Sequence, residues 1–331
     1  MLSIFSLTTL CFALAGLVFG PVQIGLPQIL MVFLDNGTAA TDAIIVQIRA
    51  PRVVLGAAVG AGLALSGVAL QGILRNPLAD PGLIGITAGA AAGAVFVIVL
   101  GQLIMNELPM TIRPYLLPVS AFIGAALVTA FVFSIARRSG HTSVTTLILG
   151  GVAINAIAGA GIGGMIYISD DQQLRDLTFW SMGGLGQADW PSCLVAISCI
   201  FAAGVGLSAI AKSLDLFQLG EGAAFHTGVD VEKTKIKAAV WSALAVGVGT
   251  AVAGPIGFIG LVAPHIARLC VGPMHRFVAP SAALIGASLL LAADLAVRTT
   301  IPPAEPPVGL ATSLIGGPFF LYLLIRTLDR K

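Results

Sequence analysis

Charge is what this chain has least of. Lys, Arg, Asp and Glu make up 10% of its 331 residues, where soluble domains carry about 25%. With glycine counted and tyrosine left out, about 68% of the chain is apolar, against roughly 45–50% in soluble domains. A soluble fold would lack the polar residues to cover its surface, and the mean hydropathy of +1.00 agrees. Strand-length alternation is missing too: apolar runs extend for twenty residues or more, which excludes a membrane β-barrel. The 17 Lys and Arg form no basic cluster of the size that nucleic acid requires. Cys11, Cys193, Cys199 and Cys270 form no CxxC pair, so they read as small buried hydrophobes, with no disulfide framework or metal site implied. A GxxxxGK[ST] phosphate loop is absent, so the chain is not expected to hydrolyse ATP or to act as an enzyme. What remains is an all-α polytopic membrane protein.

Charge-free runs fall at 1–34, 53–74, 81–106, 114–136, 139–169, 190–211, 238–267, 277–293 and 306–325. A spanning helix needs about 20 apolar residues, so at least nine spans are expected. The run 238–267 carries Gly254-Pro255-Ile256-Gly257 at its middle, and the distribution of cations decides whether it holds one span or two. Two spans give ten in all, with both termini cytoplasmic. Twelve Lys and Arg then lie inside, against five outside: Arg49, Arg52, Arg113, Arg175 and Arg298. One span gives eight against nine and erases the bias. Ten transmembrane helices are expected, two of them short or broken around Pro255 and Pro264.

Residues 1–20 lack the basic start of a signal peptide, the first charge being Asp35 and the first cation Arg49, so this stretch reads as the first span. The missing cations are consistent with a few cytoplasmic residues upstream of Met1. Gly56/Gly60, Gly89/Gly93, Gly159/Gly163 and Gly247/Ala251 have the spacing that lets helices approach closely, read here as packing within the chain. A faint echo links Pro81-Gly82-Leu83-Ile84-Gly85 to the stretch Pro255–Gly260.

Ion-coupled transporters bury ionisable groups at mid-membrane, and this chain offers almost none. Asp294 lies four residues before Arg298, which predicts an intrahelical ion pair rather than a transport role. His265 reads as a hydrogen-bonded structural histidine before a proton relay. A stand-alone ion-coupled secondary transporter is therefore the weaker reading, and the energy source is expected on an attached partner. The longest cytoplasmic segment, 212–237, is built as two short helices: an amphipathic Leu214–Leu219, a terminating Gly220, then Glu221–His226. It reads either as a docking element for a soluble partner or as an ordinary folded loop. Residues 1–331 otherwise form one domain.

Several motifs together are specific. They are Arg49-Ala50-Pro51-Arg52, Ala64-Leu65-Ser66-Gly67, Arg75-Asn76-Pro77-Leu78-Ala79-Asp80-Pro81-Gly82, Leu219-Gly220-Glu221, the stretch Gly254–Arg268, Ala293-Asp294-Leu295-Ala296-Val297-Arg298 and Pro318-Phe319-Phe320-Leu321. Over nearly its whole length the chain resembles the FecCD-like permease subunits of binding-protein-dependent ABC importers for iron-siderophores, haem and vitamin B12. The resemblance implies a type II ABC importer permease: a ten-helix subunit in the bacterial inner membrane, working as a homodimer. It also implies two ATP-binding cassette subunits below and one periplasmic binding protein above. ATP then sits only on the partner, and no cofactor is permanently bound.

Roles follow at matching positions. The resemblance implies that Arg49, Arg52 and Arg298 face acidic residues of the binding protein; snorkelling at the membrane interface is the competing role. Leu219, Gly220 and Glu221 look like the family's coupling helices, seated in a groove of the ATPase. Thr142 and Ser143 match a cytoplasmic gate, with helix-start capping as the alternative. The external loop Asp170–Trp180 contains Leu-Arg-Asp-Leu-Thr-Phe-Trp, most like the haem-transporting branch, in which an arginine lies on the path. Arg175 is therefore expected to meet a haem propionate, for which a guanidinium is well formed, or else to pair locally with Asp171. Haem is the expected cargo, with a ferric siderophore or a corrinoid as the alternative.

Overall fold

The computed structural model describes residues 1–34, 36–101, 107–138, 140–300 and 304–328. Two helices, α1 (Leu2–Val18) and α2 (Leu26–Phe33), occupy what the sequence offers as one N-terminal apolar run. A continuous α3 (Ala39–Leu74) follows, then a 3₁₀ turn (Pro81–Ile84), α4 (Ile86–Leu100) and α5 (Arg113–Ala136). A two-residue hairpin, β1 (Arg137–Arg138) and β2 (His141–Thr142), leads into α6 (Val144–Ile168). Then come α7 (Asp171–Ser181), α8 (Trp190–Ala209), α9 (Ala211–Phe217) and α10 (Glu221–His226). The chain closes with α11 (Val231–Ala253), α12 (Ile259–Val271), α13 (His275–Thr300) and α14 (Val308–Leu328). Among the described residues, six helices (α3, α5, α6, α8, α11 and α13) are long and apolar enough to cross a membrane, and α1, α4, α12 and α14 are shorter apolar helices.

Local chemistry sets most of the boundaries. Ser143, Asp170, Asp189 and Asp230 each cap the helix that follows by accepting a backbone N–H from the third residue on. The expected break in 238–267 is present. α11 stops at Gly254, whose φ of +68° favours glycine, and α12 starts five residues later through Phe258. Gly220, at φ +106°, separates α9 from α10 where the sequence placed the stop.

One feature has no counterpart in the sequence reading. Arg49-Ala50-Pro51-Arg52 is helical and lies inside α3, where residues Ala43–Arg49 form π-helical turns. In the π register residue i meets the carbonyl of i−5, and Pro51 has no N–H to give to Val46. Trp190 Nε1 donates to that carbonyl instead, at 2.8 Å.

α3 is the central helix. Leu55, Leu63, Leu70 and Ile73 on it meet Val246 of α11 and Leu290 of α13 in one apolar core. The close glycine contacts expected within the chain are there for three of the pairs, Gly247 of α11 meeting Ala125 and Phe122 of α5. Gly60 of α3 faces the Gly286 backbone of α13, and Gly89 and Gly93 of α4 face Gly124 and Ser120 of α5. Gly159 and Gly163 break the expectation: among the described residues, nothing from another element lies within 4 Å of a Cβ at either. They sit on α6, of which only Leu147 and Gly151 are buried.

Candidate functional site

Three clusters carry the polar chemistry. The first ties α1, α3 and α13 together. Arg49 Nη1 donates to the carbonyls of Leu17 (2.8 Å) and Val18 (2.7 Å), and Nη2 reaches the carbonyl of Val22. Arg298 Nη2 donates to the Gly16 carbonyl at 2.5 Å. The last carbonyls of a helix have no partner within it, so two arginines from distant segments complete the end of α1. Arg52 holds Asp294 through Nε (2.9 Å) and Nη2 (2.8 Å), and Glu305 through Nη1 (2.5 Å). The expected Asp294–Arg298 pair exists at 3.5 Å, but the shorter contact of Asp294 is to Arg52.

In this arrangement the three arginines are drawn into the chain's own contacts. Arg49 is 3% exposed, Arg52 6% and Arg298 2%. The physical reason is that α1's orphan carbonyls and the buried Asp294 both need cationic partners, and the three guanidinium groups are the partners supplied.

Beside this clasp lies a cavity of about 630 Å³, lined by Arg52, Arg113, Asp176, Trp180 and Glu305 among others. α7 forms part of its rim. Gln173 Nε2 donates to the Val99 carbonyl at 3.1 Å and Leu177 is buried, so that face of α7 is anchored to the bundle. Arg175 lies two residues from either, about 200° around the helix, and is exposed. Its Nη2 donates to Gln172 Oε1 at 2.8 Å rather than to Asp171. Arg175 therefore faces away from the anchoring side, and its neighbour Asp176 lines the cavity.

The second cluster gathers two of the recognised motifs around Gln71. Its Nε2 donates to the carbonyls of Ala79 (3.2 Å) and Gly260 (3.3 Å), and its Oε1 accepts from Arg268 Nη1 at 2.6 Å. The two echoing segments thus meet: Pro81 lies against Gly260, and each segment enters its helix through a left-handed residue, Gly85 at φ +83° and Phe258 at φ +68°.

The third cluster lies at the end of the bundle opposite the arginine clasp, around α9 and α10. Asp215 Oδ1 accepts from the backbone N–H of His275 (2.7 Å) and bonds its Nδ1 (2.8 Å), fixing α9 to the start of α13. Leu219, 69% exposed, and Phe225, 67% exposed, stand out on either side of Gly220 and Glu221. Glu221 Oε2 pairs with Lys235 Nζ at 2.8 Å. The same ammonium donates to the Thr142 carbonyl at 2.8 Å, while Glu232 accepts from Thr142 N (2.9 Å) and Thr142 Oγ1 (2.6 Å). Thr142 is buried, and Ser143 is the cap of α6, accepting from Thr146 N at 3.2 Å. The structure thereby joins Glu221 to Thr142 through two residues, Lys235 and Glu232, that the sequence reading did not single out.

The family description for the FecCD transport family matches residues 7–326. The chain is 47% identical to the hemin transport system permease protein of Yersinia pestis, over 89% of this chain and 87% of that protein. It is 39% identical to a cobalamin import system permease protein of Halobacterium salinarum, over 92% and 76% respectively. Among solved structures, an inward-facing metal-chelate type ABC transporter superposes with a TM-score of 0.87 at 31% identity, covering 98% of both chains.

Proposed function

The chain belongs to the FecCD transport family, and from that membership we propose that it is the permease subunit that carries haem inward across a bacterial inner membrane. The observation that carries the haem reading is the 47% identity with a hemin permease over most of both chains. The cobalamin relative, at 39%, favours a corrinoid as the second reading, with a ferric siderophore beside it. Ten helices cross the bilayer in this reading, the six long and the four shorter apolar ones, with both termini cytoplasmic. The end bearing α9 and α10 then faces the cytoplasm, and the arginine clasp and its cavity face the periplasm.

Energy comes from ATP hydrolysed on a separate subunit. Leu219, Gly220 and Glu221 form the contact to it, and exposed Phe225 enlarges that apolar surface. Phe225→Asp is expected to lower co-purification of the ATPase by at least tenfold while leaving the thermal unfolding of the permease alone unchanged. Co-purification at the wild-type level would remove this contact. A periplasmic binding protein docks at the opposite end, on a surface that Arg49, Arg52 and Arg298 hold in shape from beneath. The open glycine face of α6 is the surface for a second copy, since none of the described residues covers it. Thr142 and Ser143, at the foot of α6, form the cytoplasmic gate.

The deciding experiment is uptake into proteoliposomes containing the permease and its ATPase, with ATP inside and haem-loaded binding protein outside, and a ferric siderophore and cobalamin run in parallel. ATP-dependent haem uptake is the expected result. Arg175, exposed at the periplasmic mouth, is expected to meet a propionate, so Arg175→Ala should lower haem uptake about three- to tenfold. Full uptake in that variant would return Arg175 to its local bond with Gln172. Uptake of cobalamin or siderophore instead of haem would overturn the cargo and leave the importer standing.

A further inference from the structure

Lys235 is a lysine 1% exposed, on the second turn of α11, and its ammonium is shared among three separate elements. Glu221 belongs to α10, the Thr142 carbonyl to the hairpin before α6, and Glu232, at 3.6 Å, to α11 itself. We propose that Lys235 is a positioning residue that transmits movement of α10 to the Thr142–Ser143 turn and so to α6. This rests on the reading of the chain as an ATP-driven permease whose α10 contacts the ATPase, and it names the atoms that join that contact to the gate.

The argument is one of linkage. A buried ammonium that loses the nearer of its two carboxylates keeps only Glu232 at 3.6 Å, and weakening a buried ion pair in this way is destabilising, so α10 cannot move away from Lys235 freely. It must either stay or carry Lys235 with it. Lys235 in turn grips the main chain of Thr142, which side-chain substitution cannot remove. Glu232 grips the same residue by N–H and hydroxyl together. Thr142 therefore has no position independent of the first two turns of α11. Beyond it, Ser143 N donates to the Ala136 carbonyl at 3.0 Å, and the Ser143 side chain caps α6. A displacement that starts at α10 reaches α6 without crossing a flexible joint. α6 is also suited to respond: with only Leu147 and Gly151 buried, it is weakly held by the rest of the chain.

The test separates hydrolysis from transport. Proteoliposomes with permease, ATPase and haem-loaded binding protein are assayed for ATP hydrolysed and haem taken up. Lys235→Met keeps the length of the side chain and removes its charge. Hydrolysis is expected to continue within about twofold of wild type while haem uptake falls at least tenfold, so that ATP used per haem rises by the same factor. Hydrolysis and uptake falling in proportion would overturn the proposal, as would both remaining unchanged. Lys235→Arg keeps a cation that can donate to both Glu221 and the Thr142 carbonyl, and it is expected to retain uptake well above Lys235→Met. Uptake as low as in Lys235→Met would count against the relay. Spin labels at His141→Cys and His226→Cys give a readout that simple destabilisation does not move: on ATP addition both sites shift in wild type, and only the His226→Cys site shifts in Lys235→Met. A normal shift at His141→Cys in that variant overturns the relay even if its stability is reduced. A wild-type assembly that neither hydrolyses ATP nor imports haem, cobalamin or siderophore would overturn the permease reading itself, and the relay with it.

Discussion

Asp294→Ala is expected to remove most of the folded protein from the membrane. Its carboxylate, 1% exposed, is the shared anion between Arg52 and Arg298, two guanidinium groups that are themselves buried. Deleting one member of a buried ionic cluster costs about 3–5 kcal/mol, because the charges left behind have neither water nor a partner. Two effects reduce the loss: Arg52 keeps Glu305 at 2.5 Å, and Arg298 keeps the Gly16 carbonyl. The lower end of that range is therefore the expected size, still a large fraction of the roughly 5–15 kcal/mol that holds a typical domain. Asp294→Asn should fall between the variant and wild type, since an amide oxygen still accepts from Arg52. Thermal unfolding in detergent, read by tryptophan fluorescence with expression yield beside it, measures both. An Asp294→Ala protein that unfolds within a degree or two of wild type would mean that the clasp does not hold α13 to α3.

Gly67→Val should have an equal or larger effect for a different reason. A Cβ on Gly67 would overlap the carbonyl oxygen and carbon of Gly260, which are backbone atoms and cannot rotate aside. One turn along, Gln71 donates to the same Gly260 carbonyl, so α3 and α12 cannot separate there without breaking that bond as well. Overpacking of this kind costs about 1–3 kcal/mol when side chains can yield, and more when they cannot. Loss of the folded, monodisperse protein is the expected outcome on size-exclusion chromatography. Gly317→Ala is the matched control. Among the described residues nothing lies within 4 Å of the added methyl, and alanine is the better helix former by up to about 1 kcal/mol. The permease chain should tolerate it. Equal damage from both substitutions would refute the contact on which the first rests.

The elements that were legible in the sequence are those whose signals are local. Gly254 and Pro255 inside an apolar run mark the α11–α12 break because glycine adopts φ +68° without strain and proline cannot continue a helix. Gly220 marks the α9–α10 stop in the same way, and Ser143, for which a helix-start cap was one of the two readings, caps α6. The π-helical turns of α3 were hidden, since their cause is a tryptophan 139 residues further on than Pro51 that satisfies the carbonyl which the proline leaves free. The carbonyl partners of the arginines were hidden for a related reason: only the folded chain shows that Arg49 and Arg298 meet the carbonyls of α1. Arg52 and Asp294 stand 242 residues apart, and Glu221 and Lys235 sit on different helices, so no period or spacing announces either pair.

The clasp at the end of α1 also fixes an order of assembly. α1 is the first helix made, yet the Gly16 carbonyl waits for Arg298, 282 residues later. Thr9 likewise donates its hydroxyl to the Leu284 carbonyl of α13. Until α13 is synthesised and inserted, the first helix lies in the bilayer with its C-terminal carbonyls incompletely matched and its α13-facing side in lipid. α1 thus locks only once α13 is in place, and a nascent chain halted before residue 298 should hold α1 loosely.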